Sequence, residues 1–130
     1  MLAVTRHRVD PAQARQFLAD AGSALAALQG RPGFRSARVG RALDDAQLWV
    51  LTTEWQDVGS YRRALSAYDV KVNAVPLLAT AVDEPTAFEV LEERSGAGAV
   101  STGASRRAAD ADDVGLGDAA QPVVPTDLDR

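Results

Sequence analysis

The chain has 130 residues, 46% hydrophobic and 25% charged, with a net charge of −4, no cysteine and one histidine. That length suits a single domain with a real core, and the acidic balance argues against a surface built for nucleic-acid phosphates. Without cysteine, and with His7 alone, disulfides, thiolate metal sites, a cysteine nucleophile and multi-histidine metal motifs are all excluded.

The opening Met1-Leu2-Ala3-Val4 is too short for a signal-peptide core, and no apolar run approaches membrane-spanning length. A soluble, cytoplasmic protein with no membrane partner is expected. Leu2 to Val9 alternates and predicts a first strand. Asp10-Pro11 predicts a helix start, with Asp10 as N-cap, Pro11 in the first turn and Gln13 three residues after the cap. Ala14, Phe17, Leu18, Ala21, Leu25 and Leu28 fall on one apolar stripe at helical spacing. Gly30, Pro32 and Gly33 end that helix. Phe34 to Arg41 predicts a second strand, Asp44-Asp45 a turn, and Gln47 to Trp55 a third strand that completes a hairpin. Asp57 predicts the next N-cap, with Tyr61, Leu65 and Tyr68 on one helix face. A further helical stretch runs from about 70 to 82 and is bent or interrupted at Pro76. Glu84-Pro85 breaks it, and Thr86 to Glu92 predicts the last strand.

Aromatic residues stop at Phe88. Residues 93–130 are rich in Ala, Gly, Ser and Asp and bury too little apolar surface to offset the entropy of ordering. The expected division is a domain over 1–92 and a disordered tail over 93–130. The tail holds seven acidic residues against four arginines, so most of the negative charge belongs to it.

The order βαββαβ is that of a ferredoxin-like α+β unit, a four-stranded antiparallel sheet with helices on one face. In the third strand Leu48 and Val50 point one way, and Trp49, Leu51 and Trp55 the other. The last strand is also apolar on both parities. A sheet apolar on both faces needs two covers, and the expected second cover is the same face of another copy, in a homodimer.

Arg31-Pro32-Gly33-Phe34 before a strand, an acidic hairpin turn, and Leu-Trp-Val-Leu-Thr-Thr-Glu-Trp followed by a capped helix with Tyr61 resemble the antibiotic biosynthesis monooxygenase family over about residues 1–92. The resemblance implies a dimeric α+β barrel. The family mixes quinone-forming oxygenases, haem-degrading enzymes and proteins of unknown role. Its haem-degrading members use an Asn on the first strand, a Trp in the helix after the third strand and a His further on. Those positions fall here at His7, Ala64 and Ala74, so haem degradation is disfavoured. Its oxygenases of aromatic polyketides use a Trp at the end of the third strand and a Tyr six residues later, matched by Trp55 and Tyr61. They also use an Asn four residues before the Trp, where this chain has Leu51, and an Arg whose counterpart falls near Val75.

The candidate catalytic residues are therefore His7, Trp55 and Tyr61. Trp55 is either a core anchor held through its N–H or a cleft wall that donates to substrate. Tyr61 either packs or reaches the cleft. His7 is either a general base, as the one side chain that titrates near neutrality, or a strand-end residue facing water. Trp49, Tyr68 and Asn73 are candidate substrate-binding residues, each with packing or solvent as the alternative. No flavin or nicotinamide fingerprint occurs, and no cofactor is expected. Oxygen chemistry then has to use the substrate as reductant, a phenol or anthrone passing from deprotonation to peroxide to quinone. The competing expectation is a non-catalytic dimeric module that binds a small apolar ligand. A pocket of ~300 Å³ or more with His7, Trp55 or Tyr61 pointing in favours ligand chemistry, and a filled core favours the module.

Overall fold

The computed structural model describes residues 1–103. Strands β1 (Leu2–Arg8), β2 (Phe34–Arg41), β3 (Leu48–Trp55) and β4 (Ala87–Phe88) form one antiparallel sheet in the order β2-β3-β1-β4. β1 sits between its two partners, with Ala3 opposite Thr53, Thr5 opposite Leu51 and His7 opposite Trp49. Strand parity does the sorting. Ala3, Thr5 and His7 on β1, and Trp49, Leu51, Thr53 and Trp55 on β3, are buried beneath the helices. Leu2, Val4, Arg6 and Arg8, with Leu48, Val50, Thr52 and Glu54, face the other way.

Asp10 caps a 3₁₀ turn over Pro11–Gln13 by accepting from the Ala12 N–H at 2.8 Å, and helix α1 (Ala14–Gln29) follows. The Gln13 side chain makes no capping hydrogen bond. The buried stripe of α1 is Phe17, Ala21, Ala24 and Leu28, whereas Leu18, expected inside, is 49% exposed. Helix α2 (Val58–Ser66) is capped by Asp57, whose Oδ1 accepts from both the N–H and the hydroxyl of Ser60 at 2.8 Å.

The helical stretch after α2 is broken twice. Ala67 is extended (φ −71°, ψ 143°), which ends α2 and starts α3 (Tyr68–Asn73) on a new axis. Pro76 has no N–H with which to continue the ladder, so α3 stops at Asn73 and a single turn, α4 (Val75–Leu78), takes over. The last strand is shorter than expected: only Ala87–Phe88 pair with β1, and Val4 N–H donates to the Thr86 carbonyl at 2.7 Å. Where a featureless tail was expected from 93, β5 (Glu92–Arg94) and β6 (Val100–Thr102) pair as a small exposed hairpin. Gly98, at φ +89°, supplies its turn. The remainder of the expected tail, 104–130, lies outside the described residues. No helix of the described residues is long and apolar enough to cross a membrane.

Gly33 sets the handover from α1 to the sheet. It sits at φ +86°, and a Cβ there would collide with the Ser60 side chain that completes the α2 cap. Its carbonyl accepts from the Gln56 N–H at 2.8 Å, tying the start of β2 to the end of β3. Gly33→Ala combines a left-handed backbone with overpacking and is expected to lose about 2 kcal/mol or more. The check is a lowered urea midpoint at an unchanged denaturant slope.

Candidate functional site

The cleft between sheet and helices is lined by two aromatic clusters with a small gap between them. At one end, Trp55 is fully buried, with Phe34 edge-on at 5.4 Å and Tyr61 tilted against it at 5.6 Å. The Trp55 Nε1–H donates to Thr53 Oγ1 at 2.8 Å. The indole is thus anchored within its own strand, because Thr53 lies two residues back on the same face. Tyr61 is 1% exposed. Burial pushes its phenol up to about 12. At working pH it is a neutral donor and not a base.

At the other end, the Phe17 ring lies 5.3 Å from both the His7 and the Trp49 rings. Trp49 is buried, its Nε1–H has no acceptor among the described residues, and the Arg41 guanidinium stands 5.1 Å above its ring. His7 is 1% exposed, and burial lowers its pKa below the ordinary 6.5. The hydrogen bonds assign its tautomer. Thr80 Oγ1 donates to the Leu77 carbonyl at 2.7 Å, which commits its proton. It therefore accepts from His7 Nδ1–H at 3.1 Å. Nε2 is left with a lone pair and accepts from Thr5 Oγ1–H at 2.9 Å.

Between the clusters lies a cavity of about 10 Å³, lined by Ala3, Thr5, Leu25, Leu28, Leu51, Thr53, Tyr61 and Leu78. It has room for about one water molecule. Tyr61 borders it directly, His7 reaches it through Thr5, and Trp55 through Thr53. His7 and Trp55 are not neighbours, because antiparallel pairing places His7 opposite Trp49.

Two of the expected binding residues are elsewhere. Tyr68 is 83% exposed, because the break at Ala67 removes it from the helical face shared by Tyr61 and Leu65. Asn73 is exposed, and its amide donates to the Asp69 carbonyl at 3.0 Å. Sequence reasoning passed over Thr5, Thr53 and Thr80. The first two were legible as Thr-x-His and Thr-x-Trp on strands, a spacing that puts hydroxyl and ring on one face. Thr80, 73 residues from His7, carried no such signal. Ala64 and Ala74, at the positions that haem-degrading relatives fill with Trp and His, are buried methyl groups and offer no haem contact or ligand.

A four-stranded antiparallel sheet with helices on one face, closing over an aromatic cleft with one buried imidazole, defines a ferredoxin-like α+β domain of the dimeric α+β barrel type. The family model described as antibiotic biosynthesis monooxygenase matches residues 1–72, over half of the chain, and the chain belongs to that family. It is 28% identical to SnoaB, a cofactor-independent oxygenase from Streptomyces nogalater, over 71% of this chain and 96% of that one, with a TM-score of 0.56. A conserved protein from Methanosarcina mazei Go1 is 22% identical over 66% of this chain and 84% of its own, with a TM-score of 0.55, a likeness of fold alone. No match was found among curated proteins.

Proposed function

We propose that this chain is a cofactor-independent monooxygenase that oxidises a small phenol- or anthrone-like aromatic with O₂ to a quinone. The observation that carries this reading is the His7 imidazole, buried and held neutral, with its Nε2 lone pair directed at a hydroxyl that lines the cleft. Family membership and the likeness to SnoaB supply the reaction class. For an anthrone, His7 accepts the proton released as the carbanion forms. The carbanion passes an electron to O₂, and the radical pair combines to a peroxide. Loss of water then leaves the new carbonyl. One oxygen atom enters the product, the other leaves as water, and the substrate CH₂ supplies the electrons. Tyr61 contributes a hydrogen bond to the developing oxyanion, while Trp49 and Trp55 wall the cleft and keep water out. Trp49 also has an N–H without an acceptor among the described residues, open to a substrate oxygen. Tyr61→Phe separates these roles. Because phenylalanine keeps the buried ring and removes only the hydroxyl, the substitution is expected to change stability by no more than ~1 kcal/mol. The same substitution is expected to slow oxygen uptake by ~10-fold or more. An unchanged rate removes Tyr61 from the mechanism.

The size of the cavity favours a second reading. At about 10 Å³ it holds no three-ring substrate, and a filled core is the expectation for a non-catalytic module that binds a small apolar ligand or nothing at all. Under the oxygenase reading, the α2–α4 side has to separate from the sheet before substrate enters. Oxygen uptake decides between the two.

The working unit we propose is a homodimer through the outer sheet face. Leu2, Val4, Leu48 and Val50 are half-buried there, and Phe88, paired with Leu2, is 46% exposed. Placing a carboxylate on that face, as in Val50→Asp, is expected to convert the dimer to monomer in light scattering. A wild-type protein that is already monomeric at micromolar concentration contradicts this.

A further inference from the structure

We infer that Thr5, His7 and Thr80 form a proton relay that connects the closed cleft to the protein surface. The inference rests on the cleft being the place where substrate is deprotonated. Its three members run from the cavity to the surface. Thr5 is 4% exposed and lines the cavity, His7 is 1% exposed, and Thr80 is exposed at the end of the α4 segment. The bonds between them are continuous, 2.9 Å from Thr5 Oγ1 to His7 Nε2 and 3.1 Å from His7 Nδ1 to Thr80 Oγ1. The segment that carries Thr80 is clamped to β1 beside His7. Val82 N–H donates to the Arg6 carbonyl at 2.7 Å, and the Glu84 carboxylate accepts from Nε and Nη2 of Arg6, each at 2.7 Å.

The proton count closes within one turnover. The substrate proton passes to Thr5 Oγ1 as Thr5's own proton moves to His7 Nε2. The Nδ1 proton passes to Thr80 Oγ1, and Thr80's proton leaves the Leu77 carbonyl for bulk water. The ring is now protonated at Nε2. When the peroxide anion forms, the sequence runs backwards: Nε2–H returns a proton through Thr5, and Nδ1 is reprotonated from solvent through Thr80. One proton leaves, one returns, and the starting tautomer is restored.

The test uses the full chain, Thr80→Val, Thr80→Ser and Thr5→Val. Nitrogen NMR of the His7 ring is expected to show Nδ1–H, and exchange of that proton with solvent to slow at least ~10-fold in Thr80→Val and recover in Thr80→Ser. Oxygen uptake with anthrone is expected to fall at least ~10-fold in Thr5→Val and in Thr80→Val, with Thr80→Ser restoring it. Thr80→Ala replaces the valine variant should that one not fold. An Nε2–H tautomer in the wild type, or exchange and uptake unchanged by loss of the Thr80 hydroxyl, overturns the relay. A wild type that takes up no oxygen defeats the proposed reaction instead, and the exchange rates then decide the relay alone.

Discussion

His7→Gln is expected to lower oxygen uptake by ~10²–10⁴-fold, the usual contribution of a positioned general base. Glutamine is the informative replacement. Its carbonyl can accept from Thr5 and its amide can donate to Thr80, so both hydroxyls keep partners and the fold is expected to survive. What it cannot do is take a proton. The pH dependence follows from the buried ring. Because burial lowers the His7 pKa below 6.5, the imidazole is neutral at pH 7, and the wild-type rate is expected to be flat there. The rate falls only as pH drops through the folded-state pKa. Stability moves in the same direction. Between 6.5 and that lower value the unfolded chain binds a proton that the folded protein does not, so stability declines as pH falls across this window and levels off below it. His7→Gln is expected to lose both limbs. A variant with wild-type uptake across the pH range removes His7 from the chemistry.

Trp55→Ala is expected to give the largest loss of stability, about 3–5 kcal/mol. The indole is fully buried, touches Phe34 and Tyr61, and closes one end of the core. Removing it also frees the buried Thr53 hydroxyl from its donor. A loss of that size is a large fraction of the margin of a small domain. Trp55→Phe keeps an aromatic between Phe34 and Tyr61 and forfeits mainly the hydrogen bond, so its cost is expected to be about 1–2 kcal/mol. Chemical denaturation of the two variants measures both. Equal, small losses would mean that the core tolerates the cavity, against the packing described.

The sheet was largely readable because strand parity is a local signal. The run Leu48 to Trp55 announced which residues lie under the helices, and the register then followed from the hairpin and the antiparallel partner. The region after Asp57 was less readable. Tyr61, Leu65 and Tyr68 share a helical spacing, but Ala67 leaves the helix and turns Tyr68 out to solvent, and nothing in an alanine marks that break. Pro76 did mark the second one. At the site, Trp55 and Tyr61 were legible as a pair and do touch. His7, the third candidate catalytic residue, has Trp49 and not Trp55 as its antiparallel partner. Its hydrogen bond to Thr80 depends on how the α4 segment folds back, a long-range consequence that a single sequence does not display. Likewise β5 and β6 arise from pairing across a glycine turn in a stretch whose composition alone suggests no structure.

The most direct test of the account is oxygen uptake by the purified, metal-free full chain with a panel of anthrones and hydroquinones, beside folded His7→Gln and Tyr61→Phe. Uptake above the spontaneous rate, lost in His7→Gln and weakened in Tyr61→Phe, is the result predicted. No uptake above the spontaneous rate with any member of the panel, or equal uptake by His7→Gln, would contradict it and leave the cleft to the apolar-ligand module.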